Sequence, residues 1–175
     1  ERLQDEQKME LEEEDSVAGF LGVHIERNPA EGTITLTQTG LIDKILKALD
    51  VDDLPAVGTP ALDVLSSDPD GEPPACTFNY ASVIGQLWYL YGHSRPDLGF
   101  AVSQAARFSF NPKRSHELAL IRIGQYLKGT RTQGMIMRIY PDEEYHLKMD
   151  AYVDSDFMGL YGKERREDPN NVKSR

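Results

Sequence analysis

The chain has 175 residues, a mass of 19.7 kDa and a formal net charge of -10 at pH 7. Its 39% of hydrophobic residues suffice for a folded core, but no apolar run is long enough to cross a bilayer and no signal-peptide core is present. A single cysteine, Cys76, excludes an intrachain disulfide and a cysteine-based zinc site. We therefore expect a globular, intracellular protein and, because the sequence begins with Glu1 and not Met, a piece of a longer one.

The charge is distributed unevenly along the chain. Residues 1–20 and residues 41–80 each carry eight acidic against two basic side chains, whereas residues 91–140 carry eight basic against two acidic ones. Clustered basic residues are what nucleic-acid binding requires, so the middle of the chain could bind a polyanion. The alternative is that these residues only solvate helix faces and offset the acidic segments, and charge alone favours that alternative.

After an acidic segment at residues 1–18, a β-hairpin and a helix are predicted. Residues 19–38 alternate apolar and polar side chains on both sides of a turn sequence, NPAEG, which indicates two strands. The following segment has apolar residues at helical spacing, with Thr39 as the expected N-cap and Asp43 in the first turn. Residues 50–77 are rich in Pro, Asp, Gly and Ser, and this composition predicts a long connecting loop.

Three helices in series and two strands are predicted next. The segment YASVIGQLWYLYG is apolar on nearly every side, which is typical of a buried central helix, and Gly92 can end it. A second helix has Pro96 in its first turn, and a third stops at Gly129. Strands are expected within residues 133–141 and 145–157, so the fold class is α+β. The residues expected in the core of the central helix are Ile84, Leu87, Trp88 and Leu90.

The third helix has an apolar face and a basic face. Arg114, Arg122 and Lys128 lie on the basic face, and Lys113 directly precedes the helix, so these are candidate phosphate ligands. A merely solvated helix surface is the alternative. Arg95 could also meet phosphate, although pairing with a nearby carboxylate such as Asp97 is equally compatible with the sequence.

Two carboxylates lie two residues apart in the stretch AYVDSDFMG. Alternation along a strand sends Asp154 and Asp156 to one face. Paired acids at that spacing could take part in a Mg²⁺ site for phosphoryl-transfer chemistry, because this ion prefers oxygen ligands. A two-metal site needs further carboxylates from elsewhere, so surface acids at the end of a strand are the alternative.

Several motifs, taken in order, resemble one family. They are FLGVHIER, ITLTQTGLIDKIL, YASVIGQLWYLYGHSRPDLGFAVSQAARF, NPKRSHELALIRIGQYLKGT, GMIM and AYVDSDFMG. This series is similar to the carboxy-terminal part of the reverse transcriptase of copia-type LTR retrotransposon polyproteins, running into the start of their ribonuclease H domain. The resemblance spans about residues 19–174. Its most specific elements are SRPD at residues 94–97 and YLKGT at residues 126–130.

The resemblance implies an organisation and a function. Residues 19–130 would form the end of the palm, the thumb and the connection of an RNA-directed DNA polymerase, and residues 131–175 the first strands of a ribonuclease H-like domain. The implied partners are an RNA/DNA template-primer duplex and the rest of the polyprotein, with no membrane. Asp154 would match the first catalytic carboxylate of ribonuclease H, and Asp154 and Asp156 would be metal ligands.

The intact family enzyme uses Mg²⁺, held in the polymerase by palm aspartates that are absent from this sequence. We therefore expect the fragment to bind no metal and to be inactive alone, because phosphoryl transfer depends on that metal clamp. Two interpretations remain. The chain is a duplex-contacting fragment of a retrotransposon polymerase, or it is a non-catalytic, degenerate remnant with at most a role in protein interaction.

Overall fold

The computed structural model describes residues 19–75 and 78–138, which together have an α+β fold, as the sequence predicted. A short 3-10 helix, Pro96–Leu98, precedes the third α-helix. The strands are β1 (Gly19–Phe20), β2 (Val23–Asn28), β3 (Thr33–Thr37) and β4 (Met135–Arg138). The helices are α1 (Thr39–Leu49), α2 (Tyr80–His93), α3 (Gly99–Ala106) and α4 (Arg114–Gly129).

The four strands form one antiparallel sheet in the order β1-β2-β3-β4. The predicted hairpin is the β2–β3 pair, in which Ile25 lies opposite Leu36. Strand β4 lies beyond the expected domain boundary at residue 130 and pairs with β3, with Met137 opposite Ile34. The domain boundaries themselves stay a prediction, and the strand predicted within residues 145–157 lies outside the described residues.

The hydrophobic core lies among the four helices. Helix α1 packs against α2 and α4, and α3 packs against α2 and α4, so each helix contributes one apolar face. The buried side chains that represent these faces are Ile42, Ile45, Leu46 and Leu49 from α1, Ile84, Leu87 and Leu90 from α2, Val102 from α3, and Leu120, Ile123 and Leu127 from α4.

The contact between α1 and α4 depends on a glycine. A Cβ atom added to Gly124 would lie 2.8 Å from Cδ1 of Leu49 and 3.2 Å from Cγ1 of Val51. Both neighbours are buried, so neither side chain has room to move away. Gly124 therefore sets how closely the two helices approach.

Four local predictions need correction. Thr39 is the first helical residue of α1 and not its N-cap, which is Gln38. The first turn of α1 contains no acidic residue, because Asp43 lies further along the helix, where it pairs with Arg131. Helix α2 continues past Gly92 to His93. Trp88 is 41% exposed and makes an edge contact with the ring of Tyr91, because the core takes only one side of α2.

No helix in the described part of the chain is long and apolar enough to cross a membrane.

Candidate nucleic-acid interface

The basic face of α4 contacts the loop at residues 51–75, which we call the 51–75 loop. Lys128 donates hydrogen bonds from Nζ to the carbonyl oxygens of Asp52 and Leu54, the latter at 2.9 Å. Nearly two turns earlier, Nη2 of Arg122 donates to the hydroxyl of Thr59 at 3.0 Å. These two candidate phosphate ligands are therefore already engaged by the chain itself.

The start of α4 holds the other end of the same loop. The backbone N–H of Arg114 donates to the carbonyl oxygen of Glu72 at 2.9 Å, and its guanidinium pairs with Glu117 at 2.6 Å. The buried carboxylate of Glu117 also accepts from the N–H of Ala75 at 2.8 Å. Arg114 thus links the loop to α4, and it keeps part of its side chain exposed.

His116 also holds this end of the loop. Its Nδ1 accepts the backbone N–H of Lys113 at 3.0 Å, so the tautomer that fits carries its proton on Nε2, which lies 3.0 Å from the carbonyl oxygen of Ser66. The imidazole stacks on Phe108 with 3.8 Å between ring centroids. Along its length, α4 therefore uses its polar face to hold the loop. Phosphate contact by Lys113, Arg114, Arg122 and Lys128 stays a prediction.

Arg95 is buried, with only 1% of its surface exposed. Its guanidinium makes two bonds to the carboxylate of Asp97, at 3.0 and 2.8 Å, and two more to the carbonyl and hydroxyl oxygens of Thr130, at 2.9 and 2.8 Å. Tyr126 donates its hydroxyl to the same carboxylate at 2.8 Å. The sequence left two interpretations of Arg95 open, and in the structure Arg95 pairs with Asp97. Because the guanidinium is buried, a phosphate cannot reach it.

The electrostatics of this cluster favour its charged form. Burial opposes the charge on Asp97, but hydrogen bonds from Arg95 and Tyr126 outweigh it and hold the pKa of Asp97 below its usual value. Burial likewise opposes the charge on Arg95, and the bond and attraction to Asp97 still raise the pKa of Arg95. Burial and the bond to Asp97 raise the pKa of Tyr126. The SRPD and YLKGT motifs therefore meet in one ionised structural cluster.

An exposed apolar surface lies where the end of β1 and the turn after it meet α2. Phe20, at the end of β1, is 64% exposed, and Leu21, in the turn, is 69% exposed. The hydroxyl of Tyr89 donates to the carbonyl oxygen of Leu21 at 2.7 Å, which joins this turn to α2. Exposed residues of α2 extend the surface. We call the combined surface the turn–helix face; it comprises Phe20, Leu21, Gly85, Trp88, Tyr89 and Gly92.

The turn–helix face was missed by sequence reasoning, which expected Trp88 in the core. The available signal was a stripe of small residues: Ser82, Gly85 and Gly92 follow helical spacing together with Tyr89. In the structure this stripe faces solvent. A helical glycine can equally mark a close helix contact, as Gly124 does, so the stripe alone does not identify the solvent side of α2.

Gln38, at the start of α1, carries a buried polar group that the sequence did not reveal. The residue is 2% exposed, and its Oε1 accepts the hydroxyl of Ser94 at 2.8 Å. Its Nε2 is buried, and no hydrogen-bond partner for it occurs among residues 19–75 and 78–138. An unpaired buried donor costs about 1–3 kcal/mol, so such groups are rare in native proteins.

The proposed metal ligands cannot be placed. Asp154 and Asp156 lie outside the described residues. Within residues 19–75 and 78–138, no group of three or more His, Cys, Asp or Glu side chains could hold a metal ion.

Several known proteins similar to this chain are polyproteins of transposons. The retrovirus-related Pol polyprotein from transposon RE1 of Arabidopsis thaliana is 28% identical over 158 residues, which cover 87% of this chain and 10% of that protein. That from transposon RE2 of the same plant is 34% identical over 80 residues, covering 46% of this chain and 5% of the polyprotein. That from transposon TNT 1-94 of Nicotiana tabacum is 29% identical over 118 residues, covering 63% and 9%.

No protein-family model matches the sequence, and no solved structure matches it. The chain spans a tenth or less of each of these three polyproteins. The resemblance found in the motifs is confirmed: over most of its length this chain is similar to retrovirus-related Pol polyproteins of copia-type transposons.

Proposed function

We propose that this chain is a fragment of a retrotransposon polymerase polyprotein that supports an RNA/DNA template-primer duplex, and that the turn–helix face is its contact surface. The observation that carries this proposal is the backbone of Leu21. Its φ is 49°, a left-handed conformation that an ordinary side chain adopts only at an energetic cost. The apolar side chain of Leu21 is thus held in an exposed position, although both the backbone strain and the contact with water are unfavourable.

The strained turn has a support that makes it rigid. Gly22, with φ of 80°, follows Leu21, and the Tyr89 hydroxyl fixes the carbonyl oxygen between them. Strained backbone persists where its surroundings impose it, and it is concentrated at ligand-contacting sites. A preformed apolar projection loses little conformational entropy when it meets a ligand.

The part of the turn–helix face that α2 contributes has a shape that suits the groove of a nucleic-acid duplex. Nothing lies within 4 Å of a Cβ added to Gly85 or Gly92, so the helix surface there is open and shallow. The minor groove of an A-like duplex is wide and shallow and displays sugars and base edges. Trp88 and Tyr89 can pack against sugars in such a groove, and contacts of this kind are indifferent to base sequence.

The basic helix has a smaller part in this proposal. A phosphate that bound Arg122 or Lys128 would first have to displace their bonds to the 51–75 loop. Binding through the turn–helix face requires no such rearrangement. The alternative of a remnant with a protein-interaction role also uses an exposed apolar surface, so the experiment must distinguish the two.

A titration of a fluorescently labelled RNA/DNA hybrid tests the proposal, with anisotropy as the measurement. Leu21→Asp adds a negative charge to the face, and Asp tolerates a left-handed backbone, so we expect binding to weaken severalfold or more. Leu62→Asp is the matched control, because Leu62 is 81% exposed on the 51–75 loop and the change in charge is identical.

Equal binding by the two variants would show that the face is not the contact surface. A chain that binds no hybrid even at low salt, where backbone contacts are strongest, would favour the remnant.

A further inference from the structure

His116 is a buried titratable side chain that joins the 51–75 loop to α4. The residue is 1% exposed, and its imidazole lies almost parallel to the ring of Phe108, at an angle of 8°. Its Nδ1 meets the backbone N–H of Lys113, at the start of α4, and its Nε2 meets the carbonyl oxygen of Ser66, in the loop, each at 3.0 Å. The function proposed above does not use this residue.

Only a neutral imidazole can make both of these bonds. A backbone N–H donates and a carbonyl oxygen accepts, so Nδ1 must offer its lone pair to Lys113 and Nε2 must carry the proton. A second proton, added to Nδ1, would face the hydrogen of Lys113 and break the bond at the start of α4. Burial also disfavours a charged imidazolium, because the ring is removed from water. Protonation therefore opposes the closed arrangement of the loop.

The acidic side chains near His116 are engaged elsewhere. On α4, the carboxylate of Glu117 pairs with Arg114 at 2.6 Å. On the loop, the carboxylate of Asp68 accepts the hydroxyl of Ser115 at 2.7 Å. Each acid is thus already satisfied while His116 is neutral.

The basic side chains near His116 oppose a further positive charge. The guanidinium of Arg107, which follows α3, lies over the ring of Phe108, 5.1 Å from its centroid, and the imidazole of His116 stacks on the same ring. Lys113 brings another positive charge to the start of α4. Because like charges repel, both residues favour the neutral imidazole.

The other end of the loop is held by groups that do not titrate near neutral pH. Lys128, Gln125 and Arg122 donate hydrogen bonds to residues within the range 52–59. Lysine and arginine stay protonated well above neutral pH, and the glutamine amide carries no charge. A moderate fall in pH therefore acts on the His116 end of the loop and leaves the other end attached.

We propose that His116 is a pH-sensitive switch that holds residues 66–75 against α4. At neutral pH the imidazole closes this part of the loop onto the helix. In mild acid the imidazole takes up a proton, loses its bond to Lys113 and leaves its buried place for water, so that Ser66 is released with it. The core among the four helices consists of apolar side chains and stays folded.

The size of the effect follows from the ordinary titration of histidine. A closed form that excludes the proton is fully favoured above the ordinary histidine value, and this advantage is lost as the pH falls below it. With a pKa of about 6.5 for histidine in water, lowering the pH from about 7.5 to about 5.5 should raise the population of the open form by up to about tenfold.

Amide hydrogen exchange at several pH values measures this opening. Rates are expressed as protection factors, which remove the intrinsic pH dependence of exchange. The informative amides are those of Lys113, bonded to His116, and Ala75, bonded to Glu117. Their protection should fall by up to about tenfold over this pH range, whereas protection in the buried turns of α2 should not change. Constant protection of the two amides, or an equal loss in α2, would overturn the switch.

A variant that cannot titrate tests the role of the imidazole. His116→Gln keeps a donor for the carbonyl oxygen of Ser66, and protection of the loop in this variant should no longer depend on pH. His24→Gln is the matched control, because His24 is exposed on β2, and this variant should keep the pH dependence of the original chain. A loop that responds to pH equally in both variants would show that another group is responsible and that the proposal is wrong.

The ring ¹⁵N signals of His116 provide a test that needs no substitution. They report protonation of the imidazole directly in the original chain. We expect this protonation and the loss of loop protection to occur over the same pH range. An imidazole that becomes protonated while the loop stays protected would contradict the proposal, as would a loop that opens while the imidazole stays neutral.

Discussion

Arg95 shows how a charged residue in a characteristic motif can act on the fold and not on a ligand. Its four hydrogen bonds join the corner after α2 to Thr130 at the end of α4. The guanidinium also lies over the ring of Tyr126, 5.4 Å from its centroid. Two sequence motifs that lie some thirty residues apart are therefore parts of one structural unit.

Replacing Arg95 by Met should destabilise the protein strongly. The change keeps most of the side-chain volume but removes every hydrogen bond to Asp97 and Thr130. We expect the free energy of unfolding to fall by about 2–4 kcal/mol. This is less than for a fully buried ion pair, because Asp97 is partly exposed. Urea unfolding measures this loss. Arg131→Met is the control: its pair with Asp43 is exposed to solvent, which screens it, so the loss of stability there should be much smaller. Similar losses in the two variants would contradict the structural role of Arg95.

The ionised state of Asp97 predicts a pH dependence. Because its pKa in the folded protein lies below the ordinary value of 3.8, the folded state favours the carboxylate, and the stabilisation is fully present above that ordinary value. It is lost as pH falls through the lowered pKa.

Unfolding of the original chain and of Asp97→Asn, measured from pH 6 downward, tests this. The stability difference between them should stay constant at the upper end and shrink below about pH 4. A difference that does not change with pH would mean that Asp97 is not preferentially ionised in the fold.

At the scale of elements, α4 and the 51–75 loop form a clamp. The side chains of Lys128, Gln125 and Arg122 hold the first part of the loop, and the start of α4 holds the last part. Most of these bonds end on backbone oxygens, which a loop without regular secondary structure must satisfy in some way. The polar face of α4 therefore organises the longest irregular segment of the described chain.

Removing two clamp residues should loosen the loop locally. In the double variant Arg122→Ala and Lys128→Ala, amide hydrogen exchange should accelerate in residues 52–60, because each exposed hydrogen bond contributes about 0.5–1.5 kcal/mol. Exchange in the buried turns of α2 should not change. Lys47→Ala, an exposed lysine on α1, serves as the control. Unchanged exchange in the loop would show that the clamp does not restrain it.

The helices could be predicted because their apolar residues recur at helical spacing, and α4 ends at Gly129 as expected. The exposure of Trp88 could not, because α2 is apolar all round and periodicity does not show which side meets the other helices. The clamp could not be predicted either, because a helix with a basic face has the same sequence pattern whether that face meets solvent, phosphate or a loop. Likewise, the unpaired Gln38 amide depends on a bond to Ser94, a residue 56 positions away.

At the scale of the whole molecule, the basic residues and the exposed apolar surface serve different purposes. The net charge of -10 opposes the approach of a polyanion, so long-range attraction cannot be the main source of duplex binding. In our account, the basic side chains of α4 bind the 51–75 loop, and the preformed turn–helix face makes short-range contacts with the duplex. Binding by such a face should depend less on salt than binding by a strip of three phosphate ligands.

Fluorescence of Trp88 tests the central claim most directly. Trp88 is the single tryptophan of the chain and lies on the turn–helix face, so its emission reports on that surface alone. We predict that an RNA/DNA hybrid shifts or quenches this emission in a saturable way, and that the double variant Arg122→Ala and Lys128→Ala retains the response. Hybrid binding that is detected by anisotropy but leaves Trp88 emission unchanged, and that is lost in the double variant, would contradict the account.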